Sequence, residues 1–168
     1  MEDFMKAVIF AAVAVFAAGT GQILVDDADA QTAMAELVKK RQDSMKQMGK
    51  AFRPLVDIAK QQSTDYDAAV ASAEIMNRNA KQIIANFPPG SGRDVVPDSR
   101  AKPEVWSKRD EFEAAAEKLV DESVKLIDAA KSRDYETFLA QFKAYGAACG
   151  ACHDGPRKSG GKFRFEAE

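Results

Sequence analysis

The sequence is poor in the residues that cross-link small proteins or hold metal ions in them. Its 168 residues include two cysteines and one histidine. Two cysteines cannot build a framework of several disulfides, and three such residues fall short of the four ligands of a structural zinc site. Disulfide-rich scaffolds and zinc modules are therefore excluded.

Turn-forming and aromatic residues are also few. Ten glycines, six prolines and an aromatic content of 8% argue against a β-sandwich or a collagen-like chain. The formal net charge of −2 gives no reason to propose a nucleic-acid partner. Alanine, leucine and charged residues are abundant, and this composition favours helices.

The first thirty residues form a separate segment. An uncharged apolar run at 7–18 is followed, after a short break, by Ala28-Asp29-Ala30, which has the small-x-small pattern of a signal-peptide cleavage site. We predict an export signal that is cleaved before Gln31. The alternative is an uncleaved anchor, because residues 7–25 are just long enough to span a bilayer.

Four amphipathic segments follow, each with one apolar stripe. They cover about 32–61, 66–87, 103–130 and 134 to the Gly155-Pro156 stop, with a proline- and glycine-rich loop at 88–102. Asp65 is placed to cap the second helix, and Pro54 should kink or interrupt the first. Four such stripes predict an all-α, antiparallel up-down four-helix bundle over 31–157, with a loosely held tail at 158–168.

The chain's two cysteines and its histidine lie together as Cys149-Gly150-Ala151-Cys152-His153. C-x-x-C-H is the haem c attachment pattern. Cysteines three residues apart share a helix face, so both sulfurs can form thioethers to one porphyrin. His153 is then the proximal iron ligand. The minor alternatives are a thioredoxin-like redox pair, which lacks its βαβ context, and a structural disulfide or adventitious metal site.

A second axial iron ligand has to come from elsewhere in the chain, because His153 is the only histidine. Methionines remain, although a methionine on an apolar stripe most often only fills the core. Met45 stands out, because Arg41 lies one turn before it on the same inward stripe of the first helix. A buried arginine needs an anion, and haem propionates are anions. We therefore predict that Arg41 binds a propionate and that Met45 binds the iron.

With these pieces the chain resembles the cytochrome c-prime family. The matching segments are 40–45, 66–69, 102–106 and 148–154, with Arg157 after them. The resemblance implies that Arg157 is a further haem-binding residue. It also implies that Met45 marks the low-spin branch, since gas-binding members have a non-ligating apolar residue there. Pro156 departs from the Phe or Tyr that the family usually has before this arginine, and Phe163-Arg164 is a second candidate for the pair.

These observations predict an exported, periplasmic monohaem cytochrome that carries single electrons and is not an enzyme. The first alternative is a five-coordinate cytochrome that binds nitric oxide or carbon monoxide. The second is a tethered subunit of a membrane electron-transfer complex. The expected partners are redox proteins that the sequence does not identify, and a second copy in a homodimer.

Overall fold

The computed structural model describes residues 27–153 and 160–166. Most of the predicted export segment and Arg157 lie outside these residues. The helices are α1 (Asp27–Ala59), α2 (Tyr66–Ala80), α3 (Glu104–Ser107), α4 (Arg109–Ser132) and α5 (Tyr135–Gly150), with a 3-10 turn at Ile84–Asn86. The long helices α1, α2, α4 and α5 pack on their chain neighbours, and α1 also meets α5. The predicted all-α four-helix bundle is confirmed.

The core lies on the apolar stripes that the sequence pattern indicates. Its fully buried large side chains come from α1, α3, α4 and α5, and they include Leu55, Ile58, Val105, Leu126, Phe138 and Tyr145, while α2 adds Met76 and small side chains such as Ala69 and Ala73. Aromatic rings join the helices at one end, where Phe52 of α1 stacks on Phe142 of α5 with ring centroids 5.2 Å apart. A polar contact crosses the same core, because Asn77 of α2 donates to Ser123 of α4 at 2.8 Å. The four long helices therefore share one core.

Two aspartates cap the starts of helices, and the sequence predicts the first of these caps. Asp65 accepts from the Ala68 N–H at 2.9 Å at the start of α2. Asp134 accepts from the Thr137 N–H at 2.8 Å at the start of α5. These bonds satisfy amide groups that have no partner inside the helix. The second cap follows a single left-handed residue, Arg133 (φ 56°), so α4 and α5 are joined by a tight turn.

Two of the predicted helices end or break earlier than the sequence pattern indicates. The second helix ends at Ala80 instead of 87 and is followed by the 3-10 turn at Ile84–Asn86, after which Arg109 donates to the Phe87 carbonyl at 2.8 Å. The third is broken at Lys108, which separates α3 from α4. Pro54 lies inside α1 without interrupting it. Of the two predicted effects of this proline, interruption of the first helix does not occur, and a kink stays a prediction.

The C-terminal tail is not loosely held where the structure describes it. Residues 160–166, called here the C-terminal strap, lie against the loop before α3. Lys102 N–H donates to the Phe163 carbonyl at 3.1 Å, and Phe165 N–H donates to the Arg100 carbonyl at 2.9 Å. The Phe163 ring meets the Phe112 ring edge to face at 5.4 Å and is 4% exposed. Burial of this ring and the paired backbone hold the strap in place.

Within the described ranges, no helix is both long and apolar enough to cross a membrane. The predicted anchor at 7–25 lies outside them.

Candidate haem site

The C-x-x-C-H pentad continues the last turn of α5. Beyond the end of the helix, the Cys152 and His153 amides both donate to the Cys149 carbonyl at 3.2 Å. This keeps the two cysteines within one helical turn. Both side chains are half-buried and pack against the bundle core. Both cysteine sulfurs of the pentad therefore lie against the core, and the histidine follows directly after the second cysteine.

Burial makes these thiols poor nucleophiles on their own. Desolvation raises the pKa of Cys149 to about 11 and also raises the pKa of Cys152. Redox-active C-x-x-C pairs depend on a lowered thiol pKa, so the thioredoxin-like alternative loses its chemical basis. The two thiols are not joined as a disulfide. Nor do any three His, Cys, Asp or Glu side chains in the described ranges converge to hold an ion.

A buried hydroxyl lies beside the pentad. Tyr145 is one turn before Cys149 on α5 and is fully buried. Its hydroxyl is the one buried side-chain polar atom, among the residues described, that has no hydrogen-bond partner. Burial, and secondly the charge of a neighbouring Cys149 thiolate, raise the pKa of Tyr145 well above its usual range. A buried hydroxyl without a partner costs free energy, so it marks a place where a further group belongs.

Arg41 is buried on the inner face of α1, as its place on the stripe predicts, and is 5% exposed. Its guanidinium donates to the Ser91 side chain at 3.0 Å, the Ser91 carbonyl at 2.8 Å, the Ser99 side chain at 2.5 Å and the Asn86 carbonyl at 3.5 Å. Its charged group also lies 4.4 Å from the centre of the Phe87 ring. These acceptors are all uncharged, and desolvation lowers the pKa of Arg41 to about 10. Arg41 is therefore a buried cation that an anion would stabilise, and propionate binding stays a prediction.

Two of the three methionines on the α1 stripe, Met45 and Met48, differ in burial. Met48 is 7% exposed and belongs to the core, whereas Met45 is half-buried and packs on the outside of the same core. Cys149 and Cys152 border that core in the same way. Met45 and the pentad therefore border one core from two helices, and ligation of the iron by Met45 stays a prediction.

The structure brings one further residue onto His153. Arg164 of the C-terminal strap lies with its Nη1 atom 2.9 Å from Nδ1 of the imidazole. Arg157, the primary candidate from the family pattern, lies outside the described residues. In the second candidate pair, Phe163-Arg164, the Phe163 ring is buried in the core and the Arg164 side chain contacts His153.

Sequence reasoning missed Ser91, Ser99 and Tyr145. Ser91 and Ser99 sit in a loop whose composition indicates only that it is not helical, yet both are fully buried under Arg41. Tyr145 was assigned to the apolar stripe of its helix, where its hydroxyl has no visible role. The signal that could have found the serines is the buried arginine itself, which requires oxygen acceptors from outside its own helix.

The residues present fit a covalently attached haem. Its vinyl groups would be held by the Cys149 and Cys152 sulfurs and its iron by His153. Arg41 has the charge that a propionate requires, and the orphaned Tyr145 hydroxyl lies next to the attachment point. Two free thiols, one imidazole and a buried cation form the set that this group needs.

Known proteins with similar sequences are c-type cytochromes. The sequence profile of the family Cytochrome C' matches residues 36–157. A cytochrome c-556 from Agrobacterium tumefaciens (strain II Chrys) is 36% identical over 117 residues, which are 69% of this chain and 92% of that protein. A cytochrome c' from Alcaligenes xylosoxydans xylosoxydans is 35% identical over 126 residues, or 73% of this chain and 94% of that protein.

Solved structures with the same fold include two of cytochrome c' from Alcaligenes xylosoxidans. A ferrous variant with bound nitric oxide has a TM-score of 0.66 and 28% identity, and covers 78% of this chain and 94% of its own. A variant with bound carbon monoxide has a TM-score of 0.66 and 29% identity, and covers 77% and 94%.

A four-helix bundle with a C-x-x-C-H pentad at the end of its last helix defines the helical class of c-type cytochromes. The chain belongs to the cytochrome c' family, and it carries the covalent haem c of that family. It is a haem protein and not an enzyme. Membership of the low-spin branch remains a prediction that depends on Met45.

Proposed function

We propose that this cytochrome binds a diatomic gas, nitric oxide or carbon monoxide, at its haem iron on the side opposite His153. The observation that carries the proposal is the likeness to solved cytochromes c' that hold these two gases. The haem supplies, when bound, an iron atom that can take such a ligand. This function needs no catalytic acid, base or nucleophile from the protein.

The chain's own residues have three parts in this function. Cys149 and Cys152 keep the haem attached when an axial bond to the iron breaks. His153 supplies the protein ligand on one side, with its Nδ1 atom in contact with Arg164. Met45 is the side chain that a gas has to pass or displace. Its thioether is uncharged, so the site next to it suits a neutral diatomic molecule.

The test is the absorption spectrum of the full-length ferrous haem protein before and after carbon monoxide is added. We expect a high-spin spectrum that changes to the spectrum of a carbonyl complex at micromolar gas concentrations. A low-spin ferrous spectrum that carbon monoxide leaves unchanged contradicts gas binding. Nitric oxide is the second probe, because a gas-binding iron should take both ligands.

A second function, electron transfer, has one specific observation in its favour. Met45 borders the same core as the haem-binding cysteines and lies one turn from the buried Arg41. With His153 and Met45 both bound, the iron would keep six ligands in both oxidation states, so little would move when an electron does. Methionine ligation also raises the reduction potential of a haem.

The same spectrum separates the two functions, and the thioether bond gives a direct marker of the second. A ferric absorption band that reports sulfur bound to haem iron would support the electron carrier. Its absence, together with a high-spin spectrum, would support the gas-binding protein. Both functions share His153 and the two thioethers.

We also propose that the protein works in the periplasm, because haem c is attached outside the cytoplasm. The experiment is the intact mass of protein purified from the native host. A chain that begins at Gln31 and carries one haem supports a cleaved signal. A chain that begins at Met1 or Glu2 and fractionates with membranes supports the uncleaved anchor.

A further inference from the structure

Tyr145 and Cys149 lie one turn apart on the same face of α5. Tyr145 is fully buried in the core, and the Cys149 side chain packs against that core. Burial first, and the neighbouring Cys149 second, raise the pKa of Tyr145, so the hydroxyl and the sulfur are close to each other. The hydroxyl therefore lies beside the atom through which Cys149 would hold a haem.

The Tyr145 hydroxyl has nothing to bond to among its protein neighbours. It is the one buried side-chain polar atom in the described ranges without a hydrogen-bond partner. Tyr135 at the start of the same helix differs, because its hydroxyl donates to the Ala59 carbonyl at 3.0 Å. The cluster that contains Tyr145 consists of apolar side chains, whereas a buried water needs about two to four polar partners. The partner of this hydroxyl is therefore to be sought at the pentad with its haem attached.

Attachment of a haem changes the hydrogen-bonding character of the Cys149 sulfur. The S–H bond breaks, the sulfur bonds to the inner carbon of a vinyl group, and the proton goes to the outer carbon, so the addition needs no oxidant or reductant. A thiol is both a weak donor and a weak acceptor, whereas a thioether has only lone pairs and can only accept. A tyrosine hydroxyl can donate. The thioether of Cys149 is thus an acceptor for a hydroxyl that has none.

We propose that Tyr145 is a positioning residue of the haem site: in the haem-loaded protein its buried hydroxyl donates a hydrogen bond to the Cys149 thioether sulfur and fixes the direction from which this side chain holds the haem. The proposal rests on covalent haem, which both candidate functions share. It makes the two attachment points unequal, because Tyr145 lies one turn from Cys149 and about two turns from Cys152.

The first experiment removes the hydroxyl from the haem-loaded full chain and measures the free energy of unfolding in urea. Tyr145→Phe keeps the ring, so the hydrogen bond is lost without a change in packing, and we expect the folding equilibrium constant to fall about twofold to tenfold. Tyr135→Phe is the matched control, because it removes a hydroxyl whose acceptor, the Ala59 carbonyl, is known. An unpaired buried hydroxyl destabilises a protein, so unchanged or increased stability of Tyr145→Phe would overturn the proposal.

The second experiment tests whether Cys149 is the acceptor. In Cys152→Ala the haem is held by Cys149 alone, and the addition of Tyr145→Phe should cost the same stability as in the wild type. In Cys149→Ala the haem is held by Cys152 alone and the acceptor is gone, so the addition of Tyr145→Phe should cost nothing. An equal loss in both backgrounds would show that the hydroxyl acts without the Cys149 sulfur and would contradict the proposal.

A third measurement needs no variant. It uses the diamagnetic ferrous form, with carbon monoxide added where the iron is five-coordinate. A buried, hydrogen-bonded hydroxyl proton exchanges slowly with water and gives its own NMR signal. We expect this signal for Tyr145, with nuclear Overhauser effects to the Cys149 β protons. A Tyr145 hydroxyl proton that exchanges too fast to be seen, or that contacts a bound water instead, would exclude the bond to sulfur.

Failure of this inference is distinguishable from failure of the proposed function. Covalent haem and the response to carbon monoxide are measured on the unmodified protein and do not depend on the Tyr145 hydroxyl. Loss of those properties contradicts the proposed function. Normal haem and gas behaviour with no loss of stability in Tyr145→Phe contradicts only the role of Tyr145.

Discussion

Both terminal nitrogens of the Arg41 guanidinium donate to one residue, Ser91: Nη1 to its hydroxyl at 3.0 Å and Nη2 to its carbonyl at 2.8 Å. The Ser91 hydroxyl in turn donates to the Pro88 carbonyl at 2.8 Å. A charged side chain of α1 thereby organises the proline-rich loop that connects the 3-10 turn to α3. The same guanidinium thus has a structural role in addition to the predicted propionate.

Replacement of Arg41 should destabilise the protein. Arg41→Gln removes a buried cation together with its bonds to the Ser91 and Ser99 side chains and to the Ser91 and Asn86 carbonyls. We expect a loss of about 2–4 kcal/mol in the free energy of unfolding. Urea denaturation of the haem-loaded protein measures it. Lys40→Gln is the matched control, since Lys40 is the exposed neighbour on α1, and a similar loss in both variants would contradict the role of the loop contacts.

Replacement of Met45 and replacement of Met48 should have different effects on the absorption spectrum. Met48 is buried in the core, so Met48→Leu should cost no more than about 1.5 kcal/mol of stability and leave the spectrum unchanged. If Met45 binds the iron, Met45→Leu converts a low-spin spectrum to a high-spin one that takes carbon monoxide. If it does not, Met45→Leu leaves the spin state unchanged and alters only the rate of gas entry. If Met48→Leu is instead the change that produces a high-spin, carbon monoxide-binding iron, Met48 and not Met45 is the iron ligand.

Acid should weaken the α4–α5 interface through Glu122. This carboxylate is 4% exposed, and Gln141 donates to it at 2.6 Å and Lys125 at 2.9 Å. The Gln141 bond first, and then the Lys125 bond, lower the pKa of Glu122 to about 2. Because folding lowers the pKa of this acid, its stabilisation is complete above about pH 5 and is lost as the pH falls from there toward 2.

The corresponding measurement is the free energy of unfolding of wild type and Glu122→Gln between pH 7 and pH 2. The difference between the two proteins should be largest at neutral pH and should shrink toward pH 2. Glu117→Gln, which changes an exposed carboxylate on the same helix, is the control and should show no such trend. A difference that does not change with pH would contradict the ionic role of Glu122.

The two cysteines should hold the haem independently. Acid–acetone extraction should leave the haem on the polypeptide of wild type. Cys149→Ser and Cys152→Ser should each keep a single thioether, with a red-shifted ferrous spectrum from the remaining vinyl group, while the double variant should release its haem. Lys143→Ser, an exposed change on the same helix, is the control. Wild-type haem in the organic phase would exclude covalent attachment.

Local patterns predicted the helices well where one residue decides the outcome. Asp65 is read directly as a cap, and the stripe of α1 places Arg41 inside, as observed. The breaks at Ala80 and Lys108 were not predicted. Past Ala80 the Gln82 and Ile83 amides bond three residues back, to the Asn79 and Ala80 carbonyls, in place of the four-residue spacing of an α-helix.

The haem site was likewise predicted where its residues are close in the sequence and missed where they are distant. Cysteine and histidine spacing is local, so the pentad was recognisable, and Arg41 could be placed by its helical register. The contacts Arg41–Ser91 and Arg164–His153 join residues from a loop or a tail to a helix end, and periodicity carries no information about such pairs. The tail composition predicts a loosely held segment. The family resemblance makes Phe163-Arg164 a candidate pair, but glycine and charged residues give no sign that Phe163 finds a buried partner.

The position of the pentad near the end of the chain has a consequence for how the protein is made. Synthesis starts at the N-terminus, so α1, α2 and α4 exist before Cys149, Cys152 and His153 have been added, and Arg164 comes later still. A product that stops before residue 149 contains α1, α2, α4 and most of α5 but lacks both thioether cysteines and His153. Colour therefore reports that translation has passed residue 153, whereas helical content does not.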